Sequence, residues 1–255
     1  AALAGNFQAV VFEPDLLSLV KGGPEGRRRF LDSALCQVYR SYLVALRRYT
    51  RLVAQKNALL KSYEITPNAS LLLDAYNEQL AQYGGQIMEH RRKFIAELAP
   101  IAAKNYSEIS HDAEVLQLNY QLCANNTTAD ALAEKLESVK NAELRAGFCL
   151  AGPHREDLEI KLDDQPARVF GSQGQQRSAV LSMKLAEASV AGEVLGEHPV
   201  MLLDDVLSEL DDARQTYLLT RIEDKQTFVT TCDSAAFART NGKLVFVDHG
   251  TVREG

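Results

Sequence analysis

The sequence predicts an α/β fold that is interrupted by a long helical insertion. Short apolar runs typical of buried strands occur near the start of the chain and again after residue 148, where they alternate with helical patterns. Between them, apolar residues recur at helical spacing. We therefore expect residues 1–24 and 148–255 to form one α/β domain, into which residues 25–147 are inserted as a helical arm.

Composition favours an ordinary globular protein. The chain of 255 residues is 46% hydrophobic and 24% charged. No apolar run approaches the ~20 residues that span a bilayer, and no leader peptide is visible. The cysteines form no C-x-x-C pair, which favours reduced thiols in a cytoplasmic protein over a zinc site or a disulfide framework. They are Cys36, Cys123, Cys149 and Cys232.

The first segment and the arm have separate signals. A strand is expected at "QAVVF", followed by a brief helix that begins at Pro14 and ends at "KGGP". Apolar residues between Leu31 and Leu52 form one helical series, and those between Leu73 and Phe94 form a second. The intervening "SYEITPN" is a turn signal, so the two series predict an antiparallel hairpin of long helices. A further helix is expected to follow a threonine cap and end near Gly147. Everything from about residue 25 to 147 is therefore expected to be helical.

The last segment alternates strands and helices. Strands joined by turns are expected between Phe148 and Phe170, with a hairpin connection at "LDDQP". They are followed by an amphipathic helix from Gln175, a buried strand "PVMLLDD", a helix "DARQTYLLTRI", a second buried strand "QTFVTTC" and a terminal hairpin.

Two carboxylates stand where the "PVMLLDD" strand ends. Ligands of open α/β sheets bind at the carboxyl ends of the strands. In phosphoryl-transfer proteins the first such carboxylate holds Mg²⁺ and the next can orient or deprotonate water. Asp204 fits the metal role and Asp205 the catalytic role. The alternative is that the pair only caps the next helix.

The stretch "GSQGQQRS" looks like a phosphate-binding loop with the wrong spacing. A P-loop requires glycine, four residues and then Gly-Lys-Ser/Thr, and no stretch of this chain fits. Ser172 and Gly174 nevertheless precede an amphipathic helix, whose free N–H groups and dipole attract anions. An ordinary capped turn is the alternative.

Together these motifs resemble a known family. "LVKGGPEGRRRFLD", "AGPHREDLEI", "FGSQGQQRS" and "LLDDVLSELD", in this order, resemble the RecF family of bacterial DNA replication and repair proteins. That family belongs to the SMC-like group of ABC-type ATPases. The resemblance covers essentially the whole chain and implies that the α/β part is an ABC-type ATPase head.

The resemblance assigns roles to matching positions. In ABC-type ATPases the signature loop of one subunit closes on ATP held by the other, so ATP would join a homodimer. The signature residues would be Ser172, Gln173, Gly174 and Gln175. Asp204 would be the Walker B ligand of Mg²⁺, and Asp205 would stand at the catalytic base position. Many relatives have the longer glutamate there, so slow hydrolysis is expected.

Other positions match less fully. Ser208 and Asp211 match the D-loop. The switch histidine of most ABC proteins is replaced within "TTCD", where Thr231 is the positional candidate. No glutamine stands at Glu13–Asp15, near the expected Q-loop. In the family the P-loop lies near the N-terminus, upstream of the position that matches Ala1. The resemblance therefore implies a P-loop segment before Ala1, and without a P-loop ATP would not bind normally. Whether about 100 residues with a P-loop precede Ala1 is the most informative observation to make.

Charge is divided unevenly along the chain. The net charge is −6, yet residues 21–105 carry 14 Lys and Arg against 7 Asp and Glu. Cations clustered on helices can neutralise DNA phosphates, although a solvated helical face is the alternative. The candidates in the arm are Arg47, Arg48, Arg51, Lys56, Arg91, Arg92 and Lys93.

The family resemblance implies the wider function. ATP would clamp two heads on double-stranded DNA at single-strand gap junctions, and RecO and RecR would be partners in loading recombinase. One alternative is a non-catalytic scaffold that supplies only the arm and an interaction surface. A transporter's nucleotide-binding subunit is disfavoured by the basic helical insertion and by the threonine at the switch position.

Overall fold

The described part of the chain consists of helices arranged around two small sheets and a separate hairpin. The computed structural model describes residues 7–13, 17–232 and 242–254. The strands are β1 Ala9–Phe12, β2 Leu116–Gln121, β3 Asp157–Leu162, β4 Gln165–Pro166, β5 Val200–Asp204, β6 Thr227–Thr230, β7 Val245–Asp248 and β8 Thr251–Glu254. The helices are α1 Ser18–Lys21, α2 Pro24–Val38, α3 Arg40–Lys61, α4 Ala69–Ser110, α5 Ala129–Ala146, α6 Ala167–Phe170, α7 Gln173–Leu195 and α8 Asp212–Ile222.

The expected α/β sheet is present. Its order is β1-β5-β6, and both pairings are parallel. Strand β5 is central, as its apolar sequence predicts, and Met201 and Leu203 are buried against Leu181 of α7 and Leu218 of α8. The carboxyl ends of β5 and β6 therefore lie side by side, which sets the position of the residues that follow them.

The second sheet corrects the prediction for residues 25–147. Strand β2 lies inside this region and pairs antiparallel with β3, which in turn pairs with β4. The expectation of helix throughout is thus wrong at 116–121, where the alternating "LQLNYQ" buries Leu116 and Leu118 on one face. The expected turn at "LDDQP" is correct, and both Asp163 and Asp164 adopt positive φ there.

The helical hairpin is confirmed, with one change. Contacts of Ser41 with His90 and of Arg48 with Tyr83 show that α3 and α4 run antiparallel. The first apolar series, however, spans two helices, because the backbone is extended at Tyr39 between α2 and α3. Spacing alone did not reveal this break, since the apolar series continues across it.

Helix α4 packs against other elements along its length of 42 residues. Near its middle a Cβ on Gly84 would overlap the Leu132 side chain, so the absent side chain lets α5 approach closely. Toward its C-terminal end Asn105 Nδ2 donates a 3.2 Å hydrogen bond to the Ser182 carbonyl of α7. One buried core joins side chains of α2 to α5 with those of β2, β3 and α7.

Some predictions fall on positions outside the described residues. Pro14, Asp15 and Asp233 are among these positions.

None of the described helices is long and apolar enough to cross a membrane. The division of the chain at 24/25 and 147/148 stays a prediction.

Candidate functional site

The first turn of α7 presents the predicted signature residues. Ser172 is the N-cap, and its hydroxyl oxygen accepts a 3.2 Å hydrogen bond from the Gln175 N–H. In return, Gln175 Oε1 accepts a 2.6 Å bond from the Ser172 N–H, which completes a capping box. Ser172 and Gln173 are exposed. The Ser172 hydroxyl keeps its own proton as a donor, beside a helix N-terminus that favours an anion.

Gln175 differs from its neighbours because its side chain forms hydrogen bonds to other residues of the same subunit. Its Nε2 donates a 2.6 Å hydrogen bond to Glu114 Oε1. The other carboxylate oxygen of Glu114 accepts a 2.7 Å bond from the Tyr106 hydroxyl of α4. The signature turn is thereby attached to the end of the arm's longest helix, an attachment that sequence spacing did not indicate.

At the end of β5, Asp204 has a partner on the neighbouring strand. The parallel register places Asp204 opposite Thr230, whose hydroxyl donates a 2.6 Å hydrogen bond to Asp204 Oδ1. Asp204 itself is exposed. The sequence pattern indicated Thr231 as the candidate for the switch position. The residue that contacts Asp204 is its neighbour Thr230, the last residue of β6.

Asp205 starts a sharp change of chain direction. It has φ +48°, a left-handed conformation that aspartate tolerates better than most residues. Its N–H donates to both the carbonyl and the hydroxyl of Thr230, at 3.1 and 3.2 Å. Its Oδ1 is buried and has no hydrogen-bond partner among the residues that the structure describes. A buried carboxylate oxygen without a partner requires an explanation, and a bound water or cation would provide one.

Within the described ranges, no group of three or more His, Cys, Asp and Glu side chains could hold a metal ion alone. Mg²⁺ in nucleotide sites typically binds one or two carboxylates together with phosphate oxygens and water. Asp204, which is exposed at the end of β5, fits that limited protein contribution.

The predicted D-loop residues stabilise the turn that follows β5. Ser208 Oγ donates a 2.7 Å hydrogen bond to the Asp205 carbonyl. Asp211 caps α8, since its Oδ1 accepts a 2.9 Å bond from the Arg214 N–H. The alternative that Asp204 and Asp205 only cap this helix therefore does not hold, because Asp211 is the cap.

One hydrogen bond and one ion pair join the D-loop region to the signature helix. Arg214 contacts the Asp211 carboxylate, and its Nε donates a 2.8 Å bond to Ser178 Oγ on α7. Arg177 of α7 contacts the carboxylate of Glu209. Neither Arg214 nor Glu209 was predicted from the sequence, and only their place beside the motifs could have suggested them.

At the expected switch and Q-loop positions, the contacts of the side chains do not by themselves indicate a role. Thr231 follows directly on β6 and is partly exposed, and its role stays a prediction. Glu13 lines a small cavity of about 20 Å³ together with Arg177 and Glu209. That placement brings the end of β1 close to the signature helix.

The basic residues of the arm divide into two groups. Arg47, Arg48 and Arg51 are exposed on α3, and the guanidinium of Arg48 lies 5.4 Å from the centre of the Tyr83 ring. Arg92 and Lys93 are also exposed, although both pair with Glu89. Hydrogen bonds from Arg92 and Thr127 lower the pKa of Glu89 to about 2, so this carboxylate offsets part of the positive charge.

The DNA-binding assignment is wrong for Lys56 and Arg91, because both are buried. Lys56 is 0% exposed, and its Nζ lies 2.6 Å from Glu143 Oε2. Arg91 is 2% exposed and forms a 2.7 Å ion pair with Asp32 and a 2.8 Å bond to the Pro153 carbonyl. Their charges are balanced inside the protein and do not reach a phosphate.

His154, in the "GPHRED" stretch, has a structural environment. Its Nδ1 lies 2.7 Å from the Tyr49 hydroxyl and its Nε2 lies 3.4 Å from the Cys149 carbonyl. Burial lowers the pKa of His154 to about 4, with nearby Arg155 adding to the shift. The imidazole is therefore neutral at physiological pH, with both ring nitrogens close to polar groups of the protein.

The fold and these motifs define an ABC-type ATPase head with inserted helices. The Smc head domain of Pyrococcus furiosus superposes with a TM-score of 0.51 over 97% of this chain and 61% of its own, at 14% identity, which is a likeness of fold. No family model matches the sequence.

Similarity to one group of bacterial proteins is much closer. The DNA replication and repair protein RecF of Macrococcus caseolyticus is 44% identical over 234 residues, which cover 89% of this chain and 63% of that protein. RecF of Staphylococcus aureus is 39% identical, with coverage of 97% and 70%. The solved structure of the recombination mediator RecF with ATP in the RecFOR pathway superposes with a TM-score of 0.88, at 32% identity, over 99% of this chain and 68% of its own. The chain belongs to the RecF family and spans roughly two thirds of the length of these relatives.

Proposed function

We propose that this chain forms much of an ATP-gated DNA-binding ATPase of recombinational repair and replication. The observation that carries the proposal is the exposed signature turn at the N-terminus of α7, beside a Walker B strand that ends in Asp204. Both would be phosphate-directed sites on one domain, and Ser172 and Asp204 are exposed. A relative described as RecF with ATP supports nucleotide binding by the same fold.

Each of these sites would serve a different nucleotide. The hydroxyl of Ser172 and the free N–H groups of the first turn of α7 would contact the γ-phosphate of ATP held by a second subunit. Gln173 is exposed beside them, and Gly174 leaves room for close approach. Gln175 contributes through the capping box that fixes Ser172, since its side chain is already bonded to Glu114. ATP would thereby join a homodimer.

Asp204 and Asp205 would act on the subunit's own nucleotide. Asp204 would hold Mg²⁺ through its second oxygen while Thr230 fixes Oδ1. Asp205 would orient the attacking water, and its buried, unpartnered Oδ1 would first have to turn toward the nucleotide to do so. The short aspartate side chain favours slow hydrolysis, which suits a clamp that releases DNA after a delay.

The exposed arginines of α3 would contact duplex DNA. Arg47, Arg48 and Arg51 lie along one helix and, in the described structure, form no ion pair with a carboxylate. Such contacts give affinity that depends on salt and not on sequence. Cooperation with RecO and RecR is supported by the RecFOR pathway named for the solved RecF relative. A preference for single-strand gap junctions is part of the same proposal.

The decisive experiment measures association of the gene product that contains this sequence. Sedimentation with and without Mg-ATP, and with duplex DNA carrying a gap, should show a dimer only with nucleotide and tighter DNA binding in that state. Asp204→Asn should abolish the nucleotide effect. DNA binding that is equal with and without ATP, by a protein that stays monomeric, would favour the scaffold alternative and defeat the proposal.

A further inference from the structure

Arg214 occupies an unusual position between the signature turn and the D-loop. Its guanidinium contacts the Asp211 carboxylate and donates a 2.8 Å hydrogen bond from Nε to Ser178 Oγ. Ser178 is 2% exposed and lies in the second turn of α7. One side chain of α8 therefore holds two segments that the chain separates by about 30 residues.

The same guanidinium also lies against the signature turn itself. A Cβ built on Gly174 would be 3.2 Å from Arg214 Nη2, which is a tight contact for a Cβ atom. Glycine at this position thus lets the backbone of the first turn rest directly on the arginine. A side chain here would require the guanidinium to shift by a few tenths of an ångström.

Helix stability alone does not account for this cation. A positive charge beside a helix N-terminus opposes the helix dipole. Arg214 lies under the first turn of α7, where an acidic residue would stabilise the helix better. The Asp211 carboxylate offsets the charge, and an anion bound at the turn would make the position favourable.

We propose that Arg214 is a positioning residue that holds the signature turn and the D-loop in one fixed relation, so that a phosphate bound at the turn orders both. Arg177 with Glu209 forms a second, more exposed link between the same segments. The inference rests on the proposed function, because the anion is the phosphate of ATP. Arg214 would thus contribute to the nucleotide site although it lies outside the signature, Walker B and D-loop motifs.

The first test is amide hydrogen exchange of the gene product that contains this sequence, followed in peptides that cover 171–178 and 205–212. Arg214→Gln should speed exchange in both segments at least fivefold, and Arg214→Lys should restore part of the protection. Arg221→Gln is the matched control, since Arg221 lies on the same helix but pairs with Glu108. Unchanged exchange at 171–178 in Arg214→Gln would overturn the inference.

The second test separates a positioning role from simple packing. Arg214→Gln should weaken ATP-driven dimerisation at least tenfold. Adding Asp211→Asn in a double variant should increase that loss only slightly, because both substitutions break the same contact. If the parent protein fails to dimerise with ATP, the proposed function is wrong and the nucleotide role of Arg214 falls with it. If the parent dimerises and Arg214→Gln does so equally well, the proposed function stands and the positioning role is wrong.

Discussion

The Thr230 hydroxyl donates a 2.6 Å hydrogen bond to Asp204 Oδ1 across the paired ends of β6 and β5. This bond fixes one oxygen of an exposed carboxylate. Thr230→Val removes the donor, and hydrogen bonds to charged groups contribute about 1.5–3 kcal/mol. We expect the Mg²⁺ concentration for half-maximal ATP-driven dimerisation to rise roughly tenfold, the lower end of that range, since Asp204 is exposed.

The matched control for this prediction is Thr230→Ser, which keeps the hydroxyl and should leave the Mg²⁺ requirement near the parent value. Titration of Mg²⁺ at saturating ATP, followed by sedimentation, measures both variants. Equal requirements in Thr230→Val and the parent would show that Asp204 needs no such orientation.

Ser172 combines a structural and a ligand role that two substitutions can separate. Ser172→Ala removes the N-cap of α7 and should cost about 1 kcal/mol of unfolding free energy. Ser172→Asp keeps an acceptor for the cap, so stability should stay close to that of the parent. Both variants should lose ATP-driven dimerisation, because one lacks the hydroxyl and the other places a carboxylate against phosphate. Dimerisation by Ser172→Asp at parental affinity would exclude contact between this turn and the γ-phosphate.

The exposed arginines of α3 provide a test of the DNA interface. Charge reversal at Arg47, Arg48 and Arg51 should weaken duplex binding and lower the slope of log affinity against log salt by about 3. Fluorescence anisotropy at several salt concentrations measures both quantities. Reversal of three exposed cations outside α3 and α4 is the control for net charge: Lys135, Arg145 and Arg253. The proposal for α3 fails if both triple variants lose affinity equally.

Lys56 should behave in the opposite way from these arginines. Lys56→Met leaves Glu143 buried without its cation, which typically costs about 3–5 kcal/mol. The double variant with Glu143→Gln keeps an acceptor for the Leu150 N–H and should recover much of the loss. Urea unfolding measures the stabilities, and the folded double variant should bind DNA as the parent does. A large loss of DNA affinity in that variant would reopen a role for Lys56 at the interface.

Local signals sufficed to predict much of this structure from the sequence. The Ser172 cap, the apolar run of β5 and the turn at Asp163 and Asp164 are each encoded within a few neighbouring residues. Strand β2 was missed because six alternating residues between long helices carry little signal of their own. Its β-structure is stabilised by pairing with β3, about 40 residues away.

Burial of charged residues could not be predicted from their own neighbourhoods. Lys56 and Arg91 lie in the same basic stretches as exposed arginines, and helical spacing does not distinguish a solvated cation from one with a distant carboxylate partner. The partner of Lys56 is Glu143, on another helix. Contacts such as Thr230 with Asp204 depend likewise on strand register, which only the assembled sheet determines.

Burial of His154 makes stability depend on pH. Because its folded pKa of about 4 lies below the usual 6.5, the unfolded chain binds the proton more readily. Stability is therefore fully present above pH 6.5, falls as the pH drops, and levels off below pH 4, with a loss of roughly 3 kcal/mol. His154→Gln, which stays neutral, should flatten this part of the profile in urea unfolding between about pH 7.5 and 4. Gln in place of the exposed His198 should leave the slope unchanged, and a parental slope in His154→Gln would assign the acid sensitivity to other groups.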